Sequence, residues 1–565
     1  MSALELFHPL IRRWFEENLG SPTDIQERAW PVIAGGAHCL ITAPTGSGKT
    51  LTAFLWALQR FCVEGAGGME TGGVETGPAG GAGSEGRRIL YISPLKALNT
   101  DIGRNLTAPL EGLAALFAAE GISFTVPEIG IRSGDTGQAQ RQRMRRNPPD
   151  IFITTPESLG ILLSSRNGQG LLNGFSTVIL DEIHAVAEGK RGAYLMSGVE
   201  RLVEYSGEFQ RIALSATVRP LSRIARFAGG YRAAGSGENV FYEPREMEVV
   251  AGDTRKRYSL RITMPGRGGG TGTAGGTNGT PAEASPSRAS RAAAREAWWD
   301  LLADEYIRII RENTSTLIFA NSRRLVEKLS RIINERAGSS LVYAHHGSLS
   351  KELRSVVEER LKAGELRGIV ATSSLELGID VGAVDAVVLA QPPQTAASTV
   401  QRIGRSGHRV DEISKGIFLP IHGRDLIPSV VLAEQVARGD IEEIRPVENP
   451  LDVLAQVLLS TVQYEERSPG EIYALVRRCA SFHELPREEF DLVLEMLAGR
   501  YAGSRIRELN PRIVWDRERD RIRVREKARY LLFLSGGVIP DRGYYALRTA
   551  DTKAKIGELD EEFVW

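Results

Sequence analysis

The stretch Ala43–Thr50, APTGSGKT, carries residue types that bind a nucleoside triphosphate. It follows a short apolar run and opens a helical one, which is the setting that a phosphate loop requires. Gly46 and Gly48 let the backbone approach the phosphates, and amides at the helix N-terminus cradle them. Lys49 can reach the β- and γ-phosphates, and the Thr50 hydroxyl can ligate Mg²⁺. A chance Gly-rich turn lacks this context, so we predict a triphosphate site here.

An acidic pair, Asp181 and Glu182, stands at the end of another apolar run, VILDE. We predict that Asp181 and Thr50 hold the Mg²⁺, and that Glu182 orients and deprotonates the attacking water. An isolated Asp-Glu pair after a strand is usually a solvated loop start. The presence of a phosphate loop in the same chain favours the catalytic interpretation.

Gln26, in SPTDIQ, precedes the phosphate loop and can select the base. A glutamine amide pairs with adenine N6 and N7 in bidentate fashion, which would favour ATP over GTP. Alone this signal is weak, since most glutamines are surface residues. The residues predicted from these patterns to bind ATP are Gln26, Thr45, Gly46, Ser47, Gly48, Lys49 and Thr50.

The stretch Val400–Arg409, VQRIGRSGHR, sets arginines among small residues far from the phosphate loop. Phosphoryl transfer needs positive charge where the transition state builds negative charge, and an arginine from a facing domain supplies it when a cleft closes. The alternative is an Arg-rich helix start on the surface. We predict that Arg402 and Arg405 act with Lys49 and Glu182 as the catalytic residues.

Two series of short apolar runs alternate with helical stretches, a pattern typical of strands in parallel sheets. We predict two doubly wound α/β domains in tandem, at residues 1–232 and 233–438. Gly-rich stretches at 64–86 and 266–290 interrupt them and are predicted to be flexible insertions. Residues 439–545 contain helices and then an alternating run, which together predict a winged-helix module.

The composition is that of a globular chain: 565 residues, 42% hydrophobic and 25% charged, with a formal net charge of zero. A nucleic-acid partner must therefore be argued from local sites. No apolar run approaches the ~18 residues of a spanning helix, and the N-terminus lacks a signal peptide's apolar core. We expect a cytoplasmic protein with no membrane partner. The cysteines, Cys39, Cys62 and Cys479, fit neither a disulfide framework nor a thiolate cluster.

Short motifs occur in a fixed order along Ser21–Arg409. They are SPTDIQ, APTGSGKT, YISPLKALNTDIGRNL, TTPESL, DEIHA, LSAT, IFANSR, YAHHGSLS, ATSSLELGIDVG and QRIGRSGHR. This series resembles superfamily 2 helicases and is most similar to the Lhr (large helicase-related) family, a likeness that also covers ENPLDVLAQ and GVIPDRGYYALR. The resemblance implies two RecA-like domains, a winged helix and a further C-terminal domain. It implies an ATP-dependent helicase that moves 3′ to 5′ on single-stranded DNA and displaces DNA or RNA.

The resemblance also assigns residues by motif. The implied contacts to the tracking strand are Pro94, Lys96, Thr155, Pro156, Arg323, His346, Thr372 and Ser373. Hydroxyls, amides and isolated cations suit a sequence-independent grip on phosphates. Ser215 and Thr217 of LSAT are expected to couple the two sites, because their hydroxyls can bond the acidic motif and the neighbouring strand. Asp380 of ATSSLELGIDVG is added to the ATP-binding residues.

Two features depart from the family pattern. Where many members carry a third arginine, this chain has His408 followed by Arg409, and either can assist Arg405. The terminal GELDEEFVW stops where the family continues, so we expect residues 546–565 to begin a truncated C-terminal domain.

The preferred hypothesis is an ATP-dependent helicase or translocase on single-stranded DNA, with a role in DNA repair. The alternatives are an RNA helicase, and an ATP-gated nucleic-acid clamp that remodels without processive unwinding. Glu182 and Arg405 favour turnover over a clamp. A remodeller of protein complexes would lack strand contacts such as Thr155 and Thr372.

Overall fold

The structure is a computed structural model that describes most of the chain. The described residues are 2–44, 46–63, 87–94, 96–235, 240–252, 256–265, 288–347, 349, 351–376, 382, 384–407, 412–500, 510–534, 537–539, 544–549, 551 and 555–560. The predicted insertion at 64–86 lies outside them, as does the 266–287 part of the second. The last residues of that second stretch, 288–290, are instead helical. Within the described ranges no helix is both long and apolar enough to cross a membrane.

The first domain is built on a seven-stranded sheet. Its strands and those beside it are β1 (Cys39–Thr42), β2 (Arg88–Ile92), β3 (Ile129–Arg132), β4 (Ile151–Thr154), β5 (Phe175–Leu180), β6 (Gln210–Ser215), β7 (Tyr231–Ala234), β8 (Phe241–Pro244) and β9 (Glu248–Ala251). Its helices are α1 (Pro9–Leu19), α2 (Asp24–Ala34), α3 (Lys49–Val63), α4 (Lys96–Ala119), α5 (Gln138–Arg146), α6 (Pro156–Leu163), α7 (Arg166–Gln169), α8 (His184–Ala187), α9 (Lys190–Ser206) and α10 (Leu221–Gly229). The strand order is β3-β4-β2-β5-β6-β1-β9 with parallel pairing throughout, while β7 and β8 form a separate antiparallel pair.

Successive side chains of a strand point to opposite faces, so the continuous apolar runs of these strands make both faces of the sheet apolar. On β2, Leu90 packs in one hydrophobic cluster, whereas Ile89 and Tyr91 pack in the other. Each cluster includes helical residues, so helices cover both faces, as a parallel sheet requires. The doubly wound domain predicted from the short apolar runs is confirmed.

The first sheet extends past the boundary predicted at residue 232. β9 pairs in parallel with β1, with Cys39 opposite Glu248 and Thr42 opposite Ala251. Without β9, β1 would be an edge strand with unpaired backbone groups directly before the phosphate loop. The domain boundary therefore lies after residue 251.

The second domain contains a six-stranded parallel sheet. Its strands are β10 (Tyr258–Ile262), β11 (Thr316–Phe319), β12 (Val342–His345), β13 (Gly368–Ala371), β14 (Ala386–Leu389) and β15 (Ser414–Phe418), in the order β10-β15-β14-β11-β13-β12. Its helices are α11 (Arg288–Glu312), α12 (Arg323–Ala337), α13 (Lys351–Lys362), α14 (Ala396–Ile403) and α15 (Leu426–Arg438). On β11, Ile318 packs in one cluster and its neighbours Leu317 and Phe319 in the other, so this sheet is also covered on both faces.

The third region is the predicted winged-helix module. Its elements are α16 (Leu451–Thr461), α17 (Pro469–Val476), α18 (Arg487–Leu497), β16 (Ile513–Asp516), β17 (Arg521–Val524), α19 (Glu526–Leu534), β18 (Tyr544–Arg548) and β19 (Lys555–Asp560). β16 and β17 form the antiparallel hairpin expected from the alternating run. β18 and β19 form a second hairpin that spans the boundary predicted at residue 545. A boundary inside a hydrogen-bonded hairpin would divide one structural unit, so it does not lie there.

The winged-helix module shares a hydrophobic core with the first domain. Leu458 of α16 and Phe482 belong to the same buried cluster as Leu159 and Val199 of the first domain. Ser460 is held by Arg201, whose Nη1 donates to its hydroxyl at 2.7 Å and whose Nη2 donates to its carbonyl at 3.2 Å. We call this interface between the first domain and the winged-helix module, with its shared hydrophobic cluster, the apolar joint.

Candidate active site

The phosphate loop connects β1, which lies next to the edge strand β9 of the first sheet, to α3. Gly46 and Gly48 both have φ near +82°, a conformation that favours glycine. The Ser47 hydroxyl donates to the Pro44 carbonyl at 2.8 Å and closes the turn. Thr50 follows Lys49 in the first turn of α3, while Thr45 lies outside the described residues. Loop and helix start thus have the arrangement expected of a phosphate cradle.

Lys49 is buried at the base of this loop. Its Nζ donates to the carbonyls of Ala43 at 2.5 Å and Pro44 at 2.9 Å. Burial lowers the pKa of Lys49, the charges of Glu182 and Asp181 oppose that shift, and the charge of Arg405 adds to it. The ammonium group therefore lies within the electrostatic reach of every predicted catalytic group except Arg402.

The acidic pair follows β5, beside the phosphate loop. The Tyr91 hydroxyl donates to Asp181 Oδ2, and the Glu182 amide donates to Asp181 Oδ1 at 2.8 Å. Burial, aided by the charge of Glu182, raises the pKa of Asp181 to about 7. Glu182 itself has φ +47°, an uncommon backbone conformation for a residue other than glycine. Such conformations concentrate at functional sites, where the surrounding structure fixes them.

The donor set fits a magnesium ion bound together with nucleotide. Mg²⁺ prefers oxygen ligands and is usually held by one or two carboxylates plus substrate phosphates. Thr50 and Asp181 supply a hydroxyl and a carboxylate at the phosphate loop. No group of three or more His, Cys, Asp or Glu that could hold a metal occurs in the described part of the chain. The side chains present therefore suit a magnesium ion that binds together with ATP better than one held by protein ligands alone.

Gln26 lies directly against the phosphate loop. It is 3% exposed, and a Cβ added at Gly48 would lie 2.9 Å from its Nε2. Its Oε1 accepts from the Thr23 amide at 2.9 Å, as part of the cap of α2. The Oε1 of Gln26 thus caps α2, and its Nε2 faces the phosphate loop.

His184 connects the acidic pair to the second domain. Its Nδ1 lies 3.4 Å from Glu182 Oε2 and 3.3 Å from the Ala216 amide, and its Nε2 lies 2.9 Å from Gln401 Nε2 on α14. Burial lowers the pKa of His184, which favours the neutral ring. Neither His184 nor Gln401 was among the predicted site residues. Both stand inside quoted motifs, DEIHA and QRIGRSGHR, which was the available signal.

The two predicted arginine fingers are buried and share one anchor, Glu376. Arg402 Nε donates to the Glu376 carboxylate at 2.9 Å, and its Nη1 donates to Asn321 Oδ1 at 3.0 Å. Arg405 donates to the Glu376 carbonyl from Nε at 3.1 Å and Nη2 at 2.7 Å. His408, Arg409 and Asp380 lie outside the described residues.

Lys256 binds the backbone on both sides of Arg405. Its Nζ donates to the carbonyls of Gly404 at 2.8 Å and Gly407 at 3.1 Å. Burial lowers its pKa to about 8, with further lowering by the charges of Arg405 and Lys49. Sequence reasoning missed this residue, because a lysine between two basic neighbours is typical of a surface segment.

A segment that we call the strap (residues 442–447) crosses the junction of the two sheet domains. Glu442 accepts from the amides of Ala396 at 2.6 Å and Ala397 at 3.1 Å, at the N-terminus of α14. The next residues bind the first domain instead: Ile444 N donates to the Arg219 carbonyl at 2.6 Å, and Val447 N to the Ala187 carbonyl at 3.1 Å. The strap therefore changes domains between residues 442 and 444. Together with the His184–Gln401 contact it forms what we call the polar joint.

The predicted coupling residues lie at the end of β6. The Ser215 hydroxyl donates to the Ala216 carbonyl at 2.8 Å, and Thr217 is exposed. The Ala216 amide, not either hydroxyl, meets His184 of the acidic segment. The coupling role of the Ser215 and Thr217 hydroxyls stays a prediction.

The first-domain residues predicted to grip the strand cluster after β2 and β4. The Pro94 carbonyl accepts from Arg191 Nη2 at 2.7 Å. Thr155 is buried and caps α6, with its hydroxyl accepting from the Ser158 amide at 3.3 Å. Pro156 is the first residue of α6; Lys96 begins α4, and its side chain lies outside the described residues.

The second-domain residues follow β12 and β13 or begin α12. His346 Nε2 lies 2.7 Å from Glu327 Oε1. The Thr372 hydroxyl donates to Ser374 Oγ at 3.3 Å, and Ser373 opens a short 3₁₀ turn. Arg323 is exposed at the start of α12. Like the catalytic pair, most of these groups stand at the carboxyl ends of parallel strands, where open α/β sheets bind ligands.

Three family models match the chain in tandem. They are DEAD/DEAH box helicase at residues 23–224, Helicase conserved C-terminal domain at 299–409, and Large helicase-related protein, winged helix domain, at 434–565. The last model includes residues 546–565, which we had expected to begin a further domain.

Similar full-length proteins extend beyond the chain. The Lhr helicase/uracil glycosylase of Escherichia coli (strain K12) is 40% identical over 99% of this chain and 37% of its own length. The ATP-dependent helicase Lhr-Core protein 2 of Thermococcus barophilus is 37% identical over 99% of this chain and 60% of its own length. The solved structure of Mycobacterium smegmatis helicase Lhr bound to ssDNA and AMP-PNP is 38% identical, with a TM-score of 0.80 over 98% of this chain and 65% of that one. The chain thus spans from about a third to two thirds of these relatives.

Proposed function

The chain belongs to the Lhr family of superfamily 2 helicases, and from this premise we propose that it is an ATP-dependent translocase on single-stranded DNA. We further propose that it moves 3′ to 5′, displaces DNA or RNA strands, and acts in DNA repair in the cytoplasm. The direction and the repair role rest on the family resemblance. The observation that carries the proposal is that His184, whose Nδ1 lies 3.4 Å from Glu182 Oε2, also contacts Gln401, because this brings the second domain next to the hydrolytic carboxylate.

ATP would bind with its phosphates on the loop at Gly46–Thr50 and its base near Gln26. Mg²⁺, held by Thr50 and Asp181, would neutralise phosphate charge. Glu182 would take the proton of the attacking water, because its carboxylate is close enough to the phosphate loop for its charge to act on Lys49. Arg402 and Arg405 approach the γ-phosphate from the second domain when the cleft closes, which places cationic donors where transition-state charge develops.

Translocation would follow from a difference in strand affinity between the closed and open cleft. The strand contacts after β4 in the first domain and after β13 in the second belong to separate bodies, so opening the cleft changes their spacing. A ligand shifts such an equilibrium only by its differential affinity for the two states. ATP supplies that difference because its ligands come from both domains.

The decisive experiment is steady-state ATP hydrolysis without nucleic acid, with single-stranded DNA, and with single-stranded RNA of matched length. Glu182→Gln is the blank. We expect stimulation by DNA, and displacement of a strand from a duplex with a 3′ tail but not a 5′ tail. Stimulation by RNA alone would favour the RNA-helicase alternative. Stimulated hydrolysis without displacement on either tail would favour the clamp.

A further inference from the structure

Arg132, the last residue of β3, is a buried cation with no acceptor among the described residues. It is 5% exposed, and its Nη1 is fully buried with no hydrogen-bond partner there. A buried charge without a partner is costly, so proteins normally pair it or use it to bind a ligand. This residue played no part in the motif assignments.

The surroundings of Arg132 are cationic. Gly130, two residues earlier on the same face of β3, faces α5, because a Cβ there would lie 3.1 Å from Met144 Sδ. Arg132 therefore also points towards α5, which carries Arg141 and Arg145. Burial lowers the pKa of Arg132 to about 10, and the charges that lower it further are those two arginines. The positive charges of Arg132, Arg141 and Arg145 therefore lie close together.

Arg141 contributes a second buried donor. Its Nη2 donates to the Gly134 carbonyl at 3.0 Å and holds the loop after β3, while its Nε is buried and, within the described part of the chain, has no acceptor. Arg143 on the same helix is different, since its Nη2 is paired with Glu128 Oε1 at 3.1 Å. Arg141, with its unpaired Nε, thus reaches the loop after β3, whereas Arg143 reaches Glu128.

The cluster lies close to the predicted strand contacts, which indicates that its anion is a phosphate of the bound strand. The Thr154 hydroxyl donates to the Arg132 carbonyl at 2.9 Å, which ties the end of β3 to the end of β4, directly before Thr155. We propose that Arg132 and Arg141, with the exposed Arg145 beside them, form a binding site for a backbone phosphate of nucleic acid, next to the strand contacts predicted at Thr155 and Pro156. This inference rests on the proposed function, and it adds a phosphate contact from the edge strand of the first sheet.

The test compares Arg132→Gln and Arg141→Gln with Arg143→Gln as the matched control on the same helix. Binding of a fluorescein-labelled single-stranded oligothymidylate is measured as a function of salt concentration. Removing one arginine–phosphate contact should reduce the slope of log K against log salt by about 0.7, because one fewer counterion is released. Affinity should fall by about tenfold, the usual weight of a charge-assisted bond. Arg143→Gln should match the wild type.

Thermal unfolding separates a binding role from a structural one. Removing an unpaired buried charge does not cost stability, so Arg132→Gln should melt at or above the wild-type temperature. A fall in melting temperature together with an unchanged salt slope would overturn the proposal. The Arg141→Gln variant gives the same slope test at a half-exposed position, outside the hydrophobic core.

Two further outcomes are distinguishable. If the wild type binds the oligonucleotide and both variants keep its salt slope, the phosphate site is wrong while the proposed function stands. If the wild type does not bind it, the proposed function fails first. Inorganic phosphate is titrated as a separate arm: if it binds the wild type and not Arg132→Gln, while oligonucleotide affinity is equal in both, the site takes a free anion and not nucleic acid.

Discussion

Leu458 of the winged helix and Gln401 of the second domain both reach the first domain, but they meet different surroundings there. Leu458 enters a buried apolar cluster that is continuous with the core of the first domain. Gln401 meets the polar ring of His184, and the neighbouring strap is held by backbone hydrogen bonds. Apolar surface is costly to expose, whereas polar groups can exchange partners with water. The first domain and winged helix should therefore move as one body, with the second domain moving against them.

The largest expected effect of a single change is at Arg405, two residues after the end of α14. Arg405→Ala should lower ATP turnover by roughly 10³-fold or more, the usual weight of an arginine finger. Hydrogen bonds from its Nε and Nη2 to the Glu376 carbonyl position the guanidinium. Steady-state hydrolysis with single-stranded DNA measures the loss. Arg438→Ala, at an exposed arginine of the same domain, is the control and should hydrolyse ATP normally.

Glu182→Gln should lower turnover by about 10²- to 10⁴-fold while leaving ATP binding intact, because the amide cannot accept the proton of water. The substitution preserves the size of the side chain at a residue with positive φ. Single-turnover hydrolysis and fluorescent-nucleotide binding are measured on the same preparation. Normal hydrolysis would show that another group is the general base.

Glu442→Ala tests whether the strap positions the arginines. Losing the carboxylate leaves the Ala396 and Ala397 amides without their acceptor at the start of α14, whose last turn carries Arg402. We expect kcat to fall by about tenfold with little change in KM for ATP, since small displacements of catalytic groups cost rate. Glu442→Gln keeps one acceptor oxygen and should recover part of the rate.

Glu443→Ala is the matched control for the strap. Glu443 pairs with Arg223 at 3.1 Å, but both side chains are largely exposed, so the pair contributes little. Equal losses in the Glu442 and Glu443 variants would mean that the strap acts through its general flexibility and not through the cap of α14.

Leu458→Ala tests the apolar joint and should give the opposite pattern. The side chain is 1% exposed, and its truncation should lower the free energy of unfolding by about 2–5 kcal/mol. Turnover per folded molecule should stay near the wild-type value. Leu451→Ala, at a 41% exposed position of the same helix, is the control. A large loss of turnover at normal stability would mean that the winged helix takes part in the catalytic cycle.

The sequence predicted some parts of the candidate site and not others. The phosphate loop, the acidic pair and the arginines are contiguous motifs, so their residue types and neighbours were enough to predict an ATP site. Glu376, Lys256 and Glu442 act through contacts between segments far apart in sequence, such as Lys256 with Gly404. Glu376 lies inside the quoted motif ATSSLELGIDVG, but nothing in the local context of Lys256 or Glu442 distinguishes them from surface charges. The short strand β9 was missed for the same reason, because its partner β1 lies some two hundred residues earlier.

The smallest effect is expected from deleting residues 266–287, between β10 and α11 of the second domain. Their Gly-rich composition lacks the apolar residues that a core requires, so the deletion should change neither joint. We expect melting temperature and DNA-stimulated turnover within error of the wild type. The deletion ends at 287 because α11 begins at Arg288. A deleted protein that folds normally but loses DNA stimulation would assign this stretch to the strand interface; one that unfolds would make it part of the second domain's core.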